Sequence, residues 1–282
     1  MKEYKIGNLK PKNRIFLAPM LEPNDIAFRA MCQEAGAGLT YTGMTSPLTK
    51  QEIILDDKPA LQIFCNSTRG IKEFFRKYED KVSLFDFNLG CPSTHAKKMQ
   101  VGSYLHSEIK KIEEILKEMR ASTEKPISIK LRKSPQTLDI IKIAEKYCDA
   151  ITIHARTNDQ GYSGLPDEEF AQLIKNSTKL PIIYSGNVNE NNYRVLLEKY
   201  DFLMVGREAL GSPEIFAEMS GKRLASKLDM FEYIRLAKKY DIKFAQIKYQ
   251  AMNFTKGKGN AKELREKLVY AKTIGEIEKI FS

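Results

Sequence analysis

Eight short segments of the chain are rich in apolar and β-branched residues, and most are continuous apolar runs rather than alternating patterns. Continuous runs are typical of strands that are buried on both faces. The predicted strands cover residues 14–20, 39–44, 60–66, 84–91, 127–132, 150–156, 182–186 and 202–207. Helical spacing is found between most of them, over 25–35, 71–78, 107–122, 138–146, 168–177 and 189–199. Strand and helix alternate too often for an open doubly wound sheet, so the pattern favours a (β/α)8 TIM barrel.

The pattern changes after residue 207. Residues 213–216 begin a last barrel helix, and from about residue 228 no strand pattern remains. Helical spacing continues over 230–240, 242–253, 261–272 and 274–281, and Gly257, Gly259 and Asn260 interrupt it. We therefore predict a barrel domain at 1–224 and a small helical domain at 225–282.

Composition defines the broad class of protein. The chain has 282 residues, of which 42% are hydrophobic, and this is enough for a full core. No apolar run approaches the roughly 20 residues that span a bilayer. The first residues, Met1-Lys2-Glu3-Tyr4-Lys5, lack the apolar stretch of a secretion signal. We expect a cytoplasmic protein with no membrane association.

The excess of positive charge lies at the C-terminal end. Residues 221–282 contain 15 lysines and arginines against 7 acidic residues, a net charge of +8. The first 220 residues contain 31 against 29, a net charge of +2. A basic region beside a nearly neutral one suggests a polyanionic partner. A solvated, lysine-rich helical surface is the alternative, and charge alone does not decide between them.

Neither a metal site nor a disulfide framework is expected. The four cysteines are Cys32, Cys65, Cys91 and Cys148. They are far apart and form no Cys-x-x-Cys pair, and all except Cys91 are interpreted as packing residues. His154 lies at a predicted strand end without a second histidine nearby, which disfavours a metal. His95 and His106 are expected to face solvent, and we assign His106 no role.

Polar residues collect at the predicted carboxyl ends of the strands, where a barrel of this type places its active site. Asn88-Leu89-Gly90-Cys91-Pro92 is the most informative segment, because it follows a buried strand and puts a thiol on a loop. An exposed thiol can donate a proton or attack an electrophile, whereas a buried structural cysteine is the commoner case. Other strand ends carry Gln62, Lys130, His154 and Arg207, which are costly to bury unless paired or functional.

The last two strand ends suggest a phosphate site. Ser185-Gly186-Asn187 and Gly206-Arg207 place glycines and an arginine after strands seven and eight, where barrels commonly bind phosphate. Glycine allows a close approach of the backbone, and arginine pairs with phosphate oxygens in a bidentate manner. Two ordinary turns are the alternative. Lys130 has two interpretations, a Schiff-base lysine or a cation that holds an anionic cofactor ring.

Taken together, these segments resemble the tRNA-dihydrouridine synthases, a family of FMN-dependent barrels. The matching strings follow the family's order: Leu17-Ala18-Pro19-Met20, Gln62-Ile63-Phe64, Asn88-Leu89-Gly90-Cys91-Pro92, Lys130-Leu131-Arg132, His154-Ala155-Arg156-Thr157, Gln160-Gly161-Tyr162-Ser163-Gly164, Ser185-Gly186-Asn187-Val188 and Gly206-Arg207. Lys256-Gly257 and Leu264-Arg265 resemble the family's weaker C-terminal pattern. The chain departs from the family pattern at Ser185, at Asn187 and over 21–24, where small residues are usual.

The resemblance implies a cofactor, a reaction and roles for the matching residues. FMN would lie at the barrel mouth and contact Ala18, Pro19, Met20, Gln62, Lys130 and His154, with its phosphate held by Ser185, Gly186, Asn187, Gly206 and Arg207. Reduced flavin would deliver hydride to C6 of a uridine in tRNA, and Cys91 would protonate C5 as general acid. NADPH or NADH would be the reductant. Substrate contacts would come from Asn88, Arg156, Lys256, Lys258 and Arg265.

Two other functions stay open at this point. A flavin barrel that acts on a free small molecule, such as a dihydropyrimidine, would explain the strand-end residues but not the basic C-terminal region. A tRNA-binding module without catalysis would explain the basic region, but it would leave Cys91, Lys130 and His154 together by accident. A fold can host many chemistries, so the geometry of the site has to separate these functions.

Overall fold

The computed structural model describes residues 3–21 and 24–282. Eight parallel strands form one sheet: β1 (Ile15–Leu17), β2 (Leu39–Thr40), β3 (Ala60–Ile63), β4 (Leu84–Leu89), β5 (Ile127–Arg132), β6 (Ala150–His154), β7 (Ile182–Ser185) and β8 (Phe202–Val205). They pair in the order β2-β1-β8-β7-β6-β5-β4-β3. Parallel bridges from Tyr41 to Ala60 and from Thr45 to Ile63 close the ring between β2 and β3. The predicted TIM barrel is confirmed.

Helices follow most of the strands and then continue alone; among the described residues no α-helix lies between β2 and β3, and two lie between β4 and β5. The barrel helices are α1 (Ile26–Glu34), α2 (Ile71–Tyr78), α3 (Thr94–Met99), α4 (Ile109–Ala121), α5 (Thr137–Tyr147), α6 (Glu168–Asn176), α7 (Tyr193–Lys199) and α8 (Ile215–Ser220). The C-terminal helices are α9 (Met230–Lys239), α10 (Phe244–Asn253), α11 (Ala261–Tyr270) and α12 (Ile274–Phe281). Within residues 3–21 and 24–282, no helix has both the length and the apolar character needed to cross a membrane.

Side-chain caps set the start of several helices. Asp25, Asp167 and Asp229 each accept a backbone N–H from the first turn that follows them, which satisfies donors that a helix start leaves unpaired. Thr273 and Glu276 form a reciprocal capping box at the start of α12. These caps explain why helices begin close to the positions that the sequence pattern predicts.

Two features of the fold differ from the sequence prediction. Every strand except β5 is shorter than predicted, and β1 ends at Leu17, so Ala18, Pro19 and Met20 lie in the loop after it. Helix α3 was missed, because six residues are too few for a periodic pattern. The departure from the family pattern over 21–24 includes Glu22 and Pro23, which lie outside the described residues. The domain division at residue 225 stays a prediction.

The barrel interior is apolar at its base and polar at its mouth. Phe16, Leu84 and Phe202 belong to the inner core, and the rings of Phe16 and Phe202 stack with centroids 4.9 Å apart. Since alternate residues of a strand share a face, Asp86 and Asn88 follow Leu84 toward the mouth on the inner side. The register pairs Asp86 with Ser128 and Asn88 with Lys130 on β5. Polar residues of neighbouring strands therefore meet at the carboxyl end of the barrel.

Candidate active site

A cavity of about 440 Å³ opens at the carboxyl ends of the strands, a volume in the range of ligand-binding sites. The predicted site residues in its walls are Ala18, Pro19, Met20, Gln62, Asn88, Cys91, Lys130, His154, Ser185, Gly186, Asn187, Gly206 and Arg207. Arg156, Lys256, Lys258 and Arg265 are all described, and they lie outside the cavity walls. The fold thus brings the predicted catalytic and cofactor residues together from seven strand ends.

Cys91 lies on the loop after β4, and it is partly exposed. Its thiol donates to Ser93 Oγ at 3.3 Å, and its carbonyl oxygen accepts from Ser103 Oγ at 2.9 Å. Gly102 packs directly against this residue, because a Cβ at Gly102 would lie 2.7 Å from the Cys91 carbonyl oxygen. The φ angle of Gly102 is +63°, which also favours glycine. The backbone of the loop is therefore fixed while the sulfur stays accessible.

Two buried amides hold the start of this loop. Asn88 Oδ1 accepts from the N–H groups of Gly90 at 3.1 Å and Cys91 at 3.0 Å. Asn88 Nδ2 donates to Gln62 Oε1 at 2.7 Å, and Gln62 Nε2 donates to Asp86 Oδ2 at 2.6 Å. Because Asp86 accepts from Gln62 Nε2, it leaves Gln62 Oε1 to accept from Asn88. Asp86 therefore orients both amides and, through them, the Cys91 loop.

Asp86 was not singled out in the sequence, although it is fully buried inside the barrel. Burial raises its pKa to about 7, whereas hydrogen bonds from Gln62 and Ser128 and the charge of Lys130 act to lower it. Ser128 Oγ donates to Asp86 Oδ1 at 2.5 Å. The available signal was an acidic residue inside the apolar run 84–87 of a strand buried on both faces.

Lys130 projects into the cavity from β5. Burial and, to a smaller extent, the charge of Arg132 lower its pKa to about 8, whereas Asp86 and Cys91 act to raise it. The ammonium is therefore still charged at neutral pH. Lys130, Arg132 and Arg207 all line the cavity, and these cations make it suited to an anionic group.

His154 is a neutral imidazole at the end of β6. Burial, together with the smaller effects of the charges of Lys130 and of three arginines, lowers its pKa to about 2. Its Nε2 accepts from Arg156 Nη1 at 3.1 Å, so the proton of the neutral ring is on Nδ1. Among the described residues, Nδ1 is buried and has no hydrogen-bond partner. His154 therefore offers a donor that a bound molecule can use.

Asn187 joins two arginines beside His154. Its Oδ1 accepts from Arg156 at 3.0 Å and from Arg207 at 3.3 Å. Arg156 is fully buried, and its guanidinium also donates to the Gly164 carbonyl at 2.6 Å. Arg156 was predicted to contact substrate, but in the structure it lies behind the cavity wall. There it orients His154 and Asn187, because the carbonyl oxygens of the loop after β6 draw it inward.

Arg132 and Tyr162 line the cavity, although no role was predicted for either of them. Arg132 donates to the carbonyl oxygens of Gly90 at 2.8 Å and Gly161 at 2.6 Å, and this ties together the loops after β4 and β6. The guanidinium carbons of Arg132 and Arg207 each lie 5.2 Å from the centre of the Tyr162 ring, within cation–π range. Both residues stood in strings that matched the family, which was the signal that could have found them.

The predicted RNA contacts of the C-terminal helices are exposed. Lys256 pairs with Glu208 at 2.9 Å, and Arg265 Nε donates to Thr255 Oγ1 at 2.7 Å. Lys258 lies over the Phe281 ring with its ammonium 4.6 Å from the centroid. Exposed ion pairs contribute little to stability, so Lys256 can exchange its partner at small cost.

The expectation that His106 faces solvent is wrong. His106 is buried behind the end of β4, where its Nε2 lies 2.6 Å from the Leu89 carbonyl oxygen and its Nδ1 lies 2.7 Å from Ser134 Oγ. Burial lowers its pKa, and the hydrogen bond to Leu89 opposes this shift. A single histidine in a loop carries no periodic signal that distinguishes such a position from a solvated one. His95 is exposed, as expected.

The remaining cysteines do not belong to the cavity. Cys32 and Cys148 are buried, which confirms their interpretation as packing residues, and Cys65 is half-buried against the core. Across the described ranges, no group of three or more His, Cys, Asp or Glu side chains could hold a metal ion.

Comparison with known proteins identifies the family. A family model described as dihydrouridine synthase matches residues 16–279. The chain belongs to the dihydrouridine synthase family. tRNA-dihydrouridine synthase B of Pasteurella multocida is 30% identical over 238 residues, which cover 76% of this chain and 71% of that protein. The probable tRNA-dihydrouridine synthase of Rickettsia conorii is 32% identical over 243 residues, which cover 76% of this chain and 72% of that protein.

Solved structures share the fold of this dihydrouridine synthase family member at low identity. The old yellow enzyme homologue of Zymomonas mobilis superposes with a TM-score of 0.59 and 11% identity over 81% of this chain and 94% of that one. The old yellow enzyme of Trypanosoma cruzi superposes with a TM-score of 0.56 and 11% identity, over 84% of this chain and 96% of that one. At such identity the likeness shows the barrel architecture alone.

Proposed function

We propose that this protein reduces a uridine in tRNA to 5,6-dihydrouridine, with FMN as its cofactor. The observation that carries the proposal is the meeting of Cys91, Lys130 and His154 in one cavity, next to the turns at 185–187 and 206–207. Membership of the dihydrouridine synthase family supports uridine reduction. The relatives that are named as tRNA-dihydrouridine synthases support tRNA as the substrate, and tRNA is consistent with a cytoplasmic protein.

The chemistry of the cavity fits an anionic, ring-bearing cofactor. His154 supplies the buried Nδ1–H donor without a protein partner, and Lys130 supplies a charged ammonium. We propose that these two residues would hold the FMN ring, with further contacts from Ala18, Pro19, Met20 and Gln62. The phosphate would be held by Ser185, Gly186, Asn187, Gly206 and Arg207. When bound and reduced by NADPH or NADH, FMN would supply a hydride to C6 of uracil.

Cys91 is proposed as the general acid. Addition of hydride to C6 leaves negative charge at C5, and a positioned proton donor completes the reduction. The thiol is accessible, and its loop is held in place by Asn88 and Gly102. Lys130 and Arg132 line the same cavity as Cys91.

We propose that Asn88 positions the Cys91 loop and does not contact the uracil base. Its predicted role was a substrate contact, but its amide nitrogen bonds to Gln62 and its oxygen bonds to the N–H groups of the Cys91 loop. We likewise assign Arg156 to positioning of His154, because its guanidinium lies behind the cavity wall.

The C-terminal helices are proposed as the RNA-binding surface. Their net charge of +8 and the exposed Lys256, Lys258 and Arg265 suit contacts to phosphates, whose strength falls with rising salt. A uridine in folded tRNA must leave its stack to reach the bottom of a barrel cavity, so base flipping is required. Recognition by the shape of the folded RNA fits such a surface.

The purified protein tests the cofactor proposal directly. We expect a yellow protein that releases FMN on denaturation, identified by chromatography against FMN and FAD standards. A colourless protein that takes up no FMN on titration would contradict the proposal.

Cys91→Ala tests the acid. This variant is expected to keep its flavin and to lose most dihydrouridine formation on tRNA, measured by mass spectrometry of nucleosides. Cys65→Ala is the matched control, because Cys65 is also partly exposed and lies outside the cavity. Undiminished turnover by Cys91→Ala would remove Cys91 from its role. Turnover of free uracil without turnover of tRNA would instead favour a flavin barrel that acts on a free small molecule.

A further inference from the structure

Helix α10 is tied to the barrel along its first turns. Gln246 Nε2 and Gln250 Nε2 donate to Asp25 Oδ2 at 3.0 and 3.1 Å, and the Tyr233 hydroxyl of α9 donates to the same oxygen at 3.1 Å. The other oxygen of Asp25 caps α1 by accepting from the Phe28 N–H at 2.9 Å. One carboxylate after β1 therefore joins three side chains of the C-terminal helices to the first barrel helix.

The other end of α10 is held after β8. Gly211 has a φ angle of +74°, and a Cβ there would lie 2.1 Å from the carbonyl oxygen of Asn253, the last residue of α10. Glycine is required at this contact because any side chain would separate the two segments. Just beyond α10, Lys256 pairs with Glu208, a residue of the cavity wall. Since β1 and β8 are neighbours in the barrel, both anchors lie on the same side of the mouth.

Tyr249 lies between these anchors on α10. Among the described residues after 224, it is the one that lines the cavity. Its side chain is 41% exposed, although α10 is otherwise anchored by buried contacts on both sides. The two glutamines that bind Asp25 are its neighbours at positions 246 and 250, so the Asp25 contacts fix the direction in which Tyr249 projects.

We propose that Tyr249 contacts a nucleobase of the RNA substrate at the cavity mouth, and that Asp25 is the residue that positions it. The inference rests on the proposed function. An aromatic ring offers a stacking face to any base, whatever its sequence, and loss of one such contact typically lowers affinity about 5- to 150-fold. A half-exposed tyrosine from the basic helices, inside a cavity otherwise built from strand ends, has this character.

Substitution of Tyr249 tests the contact. Tyr249→Ala is expected to lower kcat/KM for tRNA by about 5- to 150-fold, with bound flavin retained as judged by its visible absorbance. Tyr249→Phe keeps the ring and is expected to stay within about twofold of the wild type on the same stacking argument. Leu173→Ala is the control and should keep the wild-type kcat/KM, because Leu173 lies on α6, is 49% exposed and does not line the cavity.

Asp25→Asn tests the positioning role. Asparagine keeps the helix cap through its Oδ1, but it places an NH2 donor where Tyr233, Gln246 and Gln250 need an acceptor. Because Asp25 is proposed to act through Tyr249, the two reductions in kcat/KM should not multiply. Asp25→Asn should lower kcat/KM much less in the Tyr249→Ala background than in the wild type. If Asp25 had only a structural role, the two substitutions would lower kcat/KM independently, and their effects would multiply.

The outcomes separate this inference from the proposed function. If the wild type forms dihydrouridine on tRNA and Tyr249→Ala has an unchanged kcat/KM, the inference fails and the proposed function stands. If the wild type binds flavin but leaves tRNA unmodified, both fail. Equal losses for Tyr249→Ala and Tyr249→Phe would exclude stacking, and multiplicative losses with Asp25→Asn would remove Asp25 from the positioning role.

Discussion

Asp86→Asn is expected to remove a pH-dependent loss of stability from the barrel core. Asparagine has nearly the shape of a protonated aspartic acid. Its Oδ1 can accept from Gln62 Nε2, and its Nδ2 can donate to Ser128 Oγ, so both buried partners keep a hydrogen bond. The substitution therefore removes the titrating proton while it preserves the amide chain that leads to Cys91.

The magnitude follows from the two pKa values of Asp86. Burial raises the pKa to about 7 in the folded protein from an ordinary value of 3.8. Between these values the folded state binds more protons than the unfolded state, so the contribution to stability is full at low pH and is lost as pH rises through 7. At about 1.4 kcal/mol per pKa unit, the wild type should lose roughly 2–3 kcal/mol between pH 5 and pH 7.5.

Urea unfolding of flavin-saturated protein at these two pH values measures the effect. The free energy of unfolding of Asp86→Asn minus that of the wild type should rise with pH by the amount given above. Shifts from His106 and His154 occur in both proteins and cancel in this difference. A difference that stays constant with pH would refute the argument that Asp86 is buried with a raised pKa.

Asp86→Leu serves as the contrasting variant. It leaves Gln62 Nε2 and Ser128 Oγ buried without an acceptor, and each such loss costs about 1–3 kcal/mol at either pH. It also frees Gln62 and Asn88 to rotate, so dihydrouridine formation should fall about 10- to 100-fold through misplacement of Cys91. Asp86→Asn should retain most of that activity, because the amide chain is intact.

Three further predictions concern the loop, the cofactor and the core. Gly102→Ala should lower the free energy of unfolding by about 1–3 kcal/mol through backbone strain against Cys91, measured by urea unfolding, whereas Gly259→Ala has nothing within 4 Å of its Cβ and is the control. Lys130→Met should make the flavin harder to reduce, because a cation that stabilises the reduced anion is lost, and titration against redox dyes would show an unchanged potential if this is wrong. Arg29→Met should cost about 3–5 kcal/mol in urea unfolding, because it leaves the buried Asp57, paired at 2.8 Å, without its partner; a loss below about 1 kcal/mol would contradict this.

The order of strands and the strand-end residues could be predicted because both depend on local patterns. Continuous apolar runs mark the strands, and the period of two places Leu84, Asp86 and Asn88 on one inner face. The carboxyl ends of parallel strands must then meet at one mouth, so Lys130 and His154 were expected near Cys91 before any contact was known.

The orientation of individual side chains could not be predicted in the same way. Arg156 turns behind the wall because the carbonyl oxygen of Gly164 accepts its guanidinium, and this loop geometry has no sequence period. His106 is buried by a contact with Leu89 that spans 17 residues. Tyr249 reaches the cavity because α10 lies beside the mouth, where contacts to Asp25, far away in sequence, hold it.

The barrel carries the residues proposed for the chemistry, and α10 carries the tyrosine proposed to contact the RNA. This separation bears on how one uridine is chosen among many. Every uridine has the same uracil ring, so residues that contact only this ring cannot distinguish one position in the RNA from another. Selection must come from contacts with neighbouring nucleotides and from the orientation in which the RNA approaches. Helix α10 is anchored after β1 by Asp25 and after β8 by Gly211, so the angle of the basic helices to the cavity is fixed. On the proposed function, we therefore expect the choice of uridine to depend on how α10 is seated on the barrel more than on the cavity itself.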